Sequence, residues 1–123
     1  MNKRTGIEKA AYYARQSILR VRVGAYVDGP SGLVGAWNTR KSHPALVKLG
    51  YPSWSNRHSE VALMLMAGRD RLRGQDVFVA RLLRDGAWAL ARPCQYCMTM
   101  LAGERVRSVT WTVGPDKWEG LIL

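Results

Sequence analysis

The stretch from Asp76 to Leu83 limits most strongly how this chain can fold. Val77, Phe78, Val79, Ala80, Leu82 and Leu83 make it apolar almost throughout, without the alternation of a strand that has one face in water. A strand of this kind belongs at the centre of a sheet, and the segments before and after it must supply the cover.

Those segments have the periods to do so. Ile7, Ala10, Ala11, Ala14, Ile18 and Leu19 recur at three- and four-residue steps, predicting an amphipathic helix from about Thr5, as cap, to Arg20. Val21, Val23, Ala25 and Val27 alternate as a strand. The turn Asp28-Gly29-Pro30-Ser31-Gly32 leads to a second strand, Leu33 to Trp37, so the pair predicts a hairpin. Asn38 to Arg57 has no clear period, holds Pro44, Gly50 and Pro52, and predicts one helical turn at Ala45-Leu46-Val47. A stretch this long without regular structure is usually functional or mobile.

From Ser59 to Ala67 the residues are apolar almost all round, predicting a buried helix that Gly68 ends. Arg69 to Gly74 reads as a charged surface turn, and Asp85-Gly86 as a turn into a short extended return, Ala87 to Ala91. Pro93 suits the first turn of a helix, which continues from Cys94 to Ala102 and stops at Gly103. Val106 to Val113 is a strand with Val109, Trp111 and Val113 on one face, followed by the turn Gly114 to Lys117 and a last short strand, Trp118 to Leu123. Four turn residues leave no room for a crossover, so the last two strands are expected to be antiparallel. Alternating strands and helices predict an α/β domain spanning residues 1–123: a mixed sheet of about five strands with helices packed on it, in two or three layers, ending in a β-hairpin.

Composition narrows the function classes. Hydrophobic residues make up 47% of the chain, which argues against general disorder. No apolar run approaches membrane-spanning length and Met1-Asn2-Lys3-Arg4 leads into a helix instead of a signal core, so a cytoplasmic location is expected. The 19 basic and 9 acidic residues give a net charge of +10, which favours polyanionic partners such as nucleic acid. The arginines are nevertheless scattered, with no run of five like charges. Two cysteines in C-x-x-C spacing without an export signal point to metal binding or redox chemistry instead of a structural disulfide.

The chemistry concentrates at two helix starts. Pro93-Cys94-Gln95-Tyr96-Cys97 offers two sulfurs three residues apart, beside a helix N-terminus that favours thiolates. His58-Ser59-Glu60 offers a nitrogen and a free carboxylate. If the two helices pack side by side, His58, Cys94 and Cys97 make three zinc ligands with the fourth position open to water, the catalytic pattern. Glu60 is then near enough to exchange a proton with that water. Separately each motif is weak: Glu60 could be an ordinary acid in a first turn, and the C-x-x-C a redox pair.

In this order the motifs resemble the H-x-E…P-C-x-x-C signature of the zinc-dependent cytidine and deoxycytidylate deaminase superfamily. The resemblance runs from the first hairpin to Val113. It implies a cytidine-deaminase-like three-layer α/β/α fold, Zn2+ held by His58, Cys94 and Cys97, Glu60 as proton shuttle, and replacement of a nucleobase amine by oxygen. Ser59 stands where the family usually has alanine, and its backbone N–H could still contact the base. Gly35-Ala36-Trp37-Asn38 resembles the segment carrying the substrate-binding asparagine of tRNA adenosine and deoxycytidylate deaminases, which gives that role to Asn38; the plainer reading is a residue that ends a strand. Trp37, Trp54 and Tyr96 could stack on a base, with Trp54 in the most polar surroundings. His43 reads as a solvated loop residue.

Two substrate readings follow. Basic charge and loop aromatics favour cytosine in single-stranded DNA or RNA. Small size and the hairpin ending, similar to free-nucleoside cytidine deaminases, favour a free cytosine nucleotide or nucleoside such as dCMP or deoxycytidine, with Arg40, Lys41 and Arg57 serving one phosphate. Adenine is the less favoured base. A catalytically idle zinc module that binds nucleic acid or a partner is the remaining alternative, and the intact Glu60 speaks against it. Members of that superfamily often pair or form tetramers, so the resemblance leaves a homo-oligomer open.

Overall fold

The computed structural model describes residues 2–29, 32–40, 43–51 and 57–123. The hairpin tip Pro30-Ser31, Lys41, Pro52, Trp54 and Asn56 lie outside them. Helix α1 (Lys3–Ala14) precedes strands β1 (Arg22–Gly29) and β2 (Gly32–Trp37), followed by the short α2 (Pro44–Lys48) and the buried α3 (Ser59–Ala67). Then come α4 (Arg69–Leu72), β3 (Asp76–Leu82), β4 (Trp88–Ala89), α5 (Gln95–Gly103), β5 (Ser108–Gly114) and β6 (Lys117–Ile122).

The strands form one six-stranded mixed sheet in the order β2-β1-β3-β5-β6, with β4 paired to β3. Among the described residues only β3 and β5 pair in parallel. The predicted hairpins both form. Gly29 faces Gly32 in the first, and the antiparallel β5–β6 pair runs from Ser108 opposite Ile122 to Gly114 opposite Lys117.

The Asp76–Leu82 strand is central, as its composition demands. Its two faces are buried against different layers. Phe78, Ala80 and Leu82 pack with Tyr26 against Ile7, Ala10, Ala11 and Ala14 of α1. Val77 and Val79 join Ala25, Val27, Val109 and Trp111 on the other face, beneath Val61, Leu63 and Met64 of α3 and Met100 and Leu101 of α5. The three-layer α/β/α arrangement follows from this double burial. Asp76, at the start of β3, accepts hydrogen bonds from Arg107 and Ser108 at the start of β5 and so pins the parallel pair in register. The Arg107 guanidinium holds the Asp76 carboxyl below its ordinary range.

Several element ends differ from expectation. Helix α1 starts at Lys3 because Asn2, not Thr5, is the cap: Asn2 Oδ1 accepts from the Thr5 N–H at 2.8 Å. It stops at Ala14 instead of Arg20, leaving Ile18 91% exposed. Beyond the stop lies Ser17. Its buried hydroxyl accepts from the Leu19 N–H and donates to the Asn38 carbonyl, turning the chain towards β1. Arg69 to Leu72 is a helical turn, not a bare surface turn, because Leu72 is fully buried. Pro93 and Cys94 precede α5 instead of lying within it; Cys94 is the cap residue.

Strand β4 shapes the site. β5 pairs with β3 only as far as Val79, and beyond it β4 takes the place beside Arg81 and Leu82. The Thr112 hydroxyl accepts from the Arg81 N–H and donates to the Ala89 carbonyl, while the Ala91 N–H bonds to the Thr112 carbonyl. The carboxyl ends of the two parallel strands are thereby parted, and the chain is led through Ala91 to Pro93 into that gap. A cleft at this position is where open α/β sheets bind ligands.

Candidate active site

Helices α3 and α5 both begin at this cleft. Before α3, Arg57 and Thr39 exchange backbone hydrogen bonds of 3.0 and 3.1 Å, which ties the incoming chain to the end of β2. His58 follows as the residue before the helix, its carbonyl accepting from Ala62. Before α5, Cys94 occupies the equivalent position, and its carbonyl accepts from Met98. Cys97 lies one turn further on and is buried, while His58 and Cys94 are half-buried.

The three donors meet. His58 Nδ1 lies 3.6 Å from Cys94 Sγ and 3.5 Å from Cys97 Sγ, and all three donor atoms lie within 4.8 Å of one another. A tetrahedral zinc with Zn–S of about 2.3 Å and Zn–N of about 2.0–2.1 Å sets nitrogen and sulfur about 3.5–3.6 Å apart. Both separations match, so the residues fit a zinc ion. The electrostatics favour the ligand form of Cys94: contact with Cys97, then with His58, pulls its thiol well below the ordinary value despite partial burial.

His58, Ser59, Glu60 and Cys94 line a cavity of about 270 Å³, together with Asn38 on one wall and Arg81, Leu90 and Arg92 on the other. This approaches the lower end of small-molecule sites, about 300 Å³. Glu60 is 4% exposed, and its Oε1 accepts from the Ser59 hydroxyl at 2.6 Å, which fixes the carboxylate's direction. Asn38 is held in turn by β1: its Oδ1 accepts from the Val23 N–H and its Nδ2 donates to the Val21 carbonyl. One lone pair and one N–H of the amide remain for another partner.

The folded chain is similar to three solved deaminases. Cytidine deaminase from Burkholderia pseudomallei superposes with a TM-score of 0.69 at 13% identity, over 99% of this chain and 93% of that one. Cytidine deaminase from Mycobacterium leprae gives 0.64 at 14% identity, over 98% and 93%. The dCMP deaminase of the cyanophage S-TIM5 gives 0.65 at 19% identity, over 90% and 82%. The chain has a cytidine-deaminase-like fold. No protein-family model matches the sequence, and no curated protein matches it significantly.

Within this fold Asn38, His58, Ser59, Glu60 and Cys94 line one cavity, and Cys97 lies with His58 and Cys94. The aromatic candidates do not join them. Trp37 lines a separate cavity with Ala62 and Met66 at the β2 edge, and Tyr96 packs against Tyr51 at 5.0 Å between ring centroids. Trp54 lies outside the described residues. Arg57 lines an adjoining cavity that shares Val21, Asn38 and His58 with the first.

Two side chains without a motif belong to the site. The Tyr51 hydroxyl is in hydrogen-bond contact with Cys97 Sγ, and its ring makes a T-shaped contact with His58 at 5.1 Å between centroids. Burial first, then the nearby sulfurs and Glu60, push the Tyr51 phenol up, so it keeps its proton and can donate to sulfur. Arg81 is the second. It continues the Val77, Val79 face of β3 to the open end of the strand, where it reaches the cavity. The sequence did carry a signal for it: a lone charge interrupting an apolar run.

Proposed function

We propose that this protein is a zinc-dependent hydrolytic deaminase that converts cytosine to uracil, acting on cytosine in single-stranded nucleic acid. One observation carries the reading: the zinc-matched separations among His58, Cys94 and Cys97, with the buried Glu60 lining the same cavity. Bound by these three residues, zinc would supply a Lewis acid able to bring a water's pKa to about 7.

Glu60 takes the proton that the water gives up and passes it to the departing amine. The base's ring carbon exchanges its bond to nitrogen for one to oxygen, and ammonia leaves. The Ser59 hydroxyl holds Glu60 Oε1 in place for both transfers. Asn38, fixed by its two bonds to β1, presents its remaining amide capacity to the base or sugar. Cys97 and Tyr51 lie behind this surface and hold the ligand set from within.

A free cytosine nucleotide or nucleoside is the second reading. The antiparallel β5–β6 hairpin supports it, as do solved structures of the same fold described as cytidine and dCMP deaminases. An idle zinc module has no use for a buried carboxylate beside the ligand set.

Glu60→Ala tests the assigned chemistry. Turnover should fall about 100-fold or more, the usual contribution of a positioned acid–base group, while the zinc content measured on the purified protein stays the same. Loss of the metal with the substitution would make Glu60 a ligand or a structural residue and contradict the assignment.

A further inference from the structure

The cavity that holds His58 and Glu60 has a cationic side chain on each flank. On the β3–β4 side stand Arg81 and Arg92. On the other side the adjoining cavity, of about 370 Å³, is lined by Arg20, Arg40 and Arg57 and shares Val21, Asn38 and His58 with the first. Strand order keeps the two groups apart. Arg40 follows β2 and Arg81 lies on β3, with β1 between them, a separation of two strand spacings or about 10 Å at the backbone. Glu60 is the only carboxylate among the described residues lining either cavity.

Two details separate this from a scatter of surface charge. Arg81 Nε is buried and has no hydrogen-bond partner among the described residues, and a desolvated cationic donor of this kind is costly until an acceptor reaches it. The Arg92 guanidinium lies over the Trp111 ring at 5.4 Å, which holds it beside the cleft instead of leaving it to range through solvent. A single phosphate can satisfy one side only.

Resting on the assignment of the central cavity to the base, we propose that the two arginine groups form a track for a single-stranded phosphodiester backbone. Phosphates on one side of the inserted base meet Arg81 and Arg92, and those on the other meet Arg20 and Arg40. The recognised chemistry is a run of phosphodiesters, common to DNA and RNA.

Binding of a thymine-only strand of about 12 nucleotides, within the usual size of such sites, tests the track without any deamination. Zinc-loaded protein is titrated with labelled deoxythymidine and uridine strands over a range of salt. With about four phosphate contacts the slope of log affinity against log salt should be near −2.8, an affinity loss of about 50-fold between 50 and 200 mM. Arg40→Gln on one side and Arg92→Gln on the other should each reduce the slope by about 0.7, and Arg81→Gln should do the same if it folds. Arg15→Gln, on the exposed end of α1, serves as the control and should leave the slope unchanged. Binding of either strand with this slope supports the track. A slope near zero overturns the proposal. So does a slope near −0.7 that responds to one side only, which would assign a single phosphate and hence a mononucleotide. Thymine strands are not deamination substrates, so a failure here leaves the deaminase reading standing, and a failure to deaminate cytosine leaves the track standing.

Discussion

Tyr51 touches two residues of the site at once, Cys97 through its hydroxyl and His58 through a T-shaped ring contact, and also packs against Tyr96. A hydrogen bond to a ligating sulfur fixes the sulfur's direction and tempers its charge, and losing such a contact typically costs about 10- to 100-fold in metal affinity. Tyr51→Phe keeps the ring and removes only the donor. Zinc affinity measured by chelator competition should fall about tenfold or more, with the metal-free protein unfolding as before; unchanged affinity would show that the contact is idle. Nothing in the sequence marks Tyr51, because its inward direction depends on a three-dimensional turn. The chain leaves α2, passes Gly50 at φ 87°, and closes with a Tyr51 N–H bond to the Leu46 carbonyl. His58, Glu60, Cys94 and Cys97 were legible for the opposite reason. Their donor atoms are scarce and their spacing along helix starts limits where they can point, whereas Asn38, at the end of β2, stood out only through the resemblance of its segment. Arg81 lies between the two cases: its charge stood out, but only the fold shows that the strand ends beside it.

Elements were legible where burial repeats regularly and poorly legible at their ends. Helix α3 and strand β3 match their apolar runs closely, since every position contributes to the pattern. After α1 stops at Ala14 the Ser17 hydroxyl holds the chain in its turn towards β1, although Ile18 and Leu19 continue the helical period. How α1 sits on the sheet was not legible at all. It rides directly on β1 because Gly24 has no side chain: a Cβ there would collide with the backbone of Ala10, Tyr13 and Ala14. At Gly35 the nearest atoms a Cβ would meet belong to the Tyr13 ring, a side chain instead of backbone. Gly24→Ala should therefore destabilise by about 3 kcal/mol or more, and Gly35→Ala by about 1–3 kcal/mol, the range for overpacking. Urea unfolding of the two variants gives the comparison, and equal costs would contradict so close a fit of α1 on β1.

At the scale of the whole molecule, one central parallel pair organises the fold and the site together. A strand buried on both faces requires helices above and below it, and that much followed from Asp76 to Leu83. Two further consequences appear only in three dimensions. Because β3 and β5 run the same way, α3 and α5 start at the same end of the sheet, which brings together His58 and Cys94, 36 positions apart in sequence. Because β4 parts the strand ends, those helix starts face a cleft instead of a closed core. Asn38 and Arg57, at the two ends of the aperiodic stretch, line the adjoining cavities, and the buried Tyr51 within it backs Cys97. Among the described residues no helix is long and apolar enough to cross a membrane. The central claim, hydrolytic cytosine deamination, is tested most directly by incubating zinc-loaded protein with deoxycytidine, dCMP and a cytosine-containing single strand, and assaying each for uracil by mass. The account predicts uracil, formed fastest in the strand and lost when the metal is chelated. Cytosine left intact in all three by fully zinc-loaded protein would contradict it.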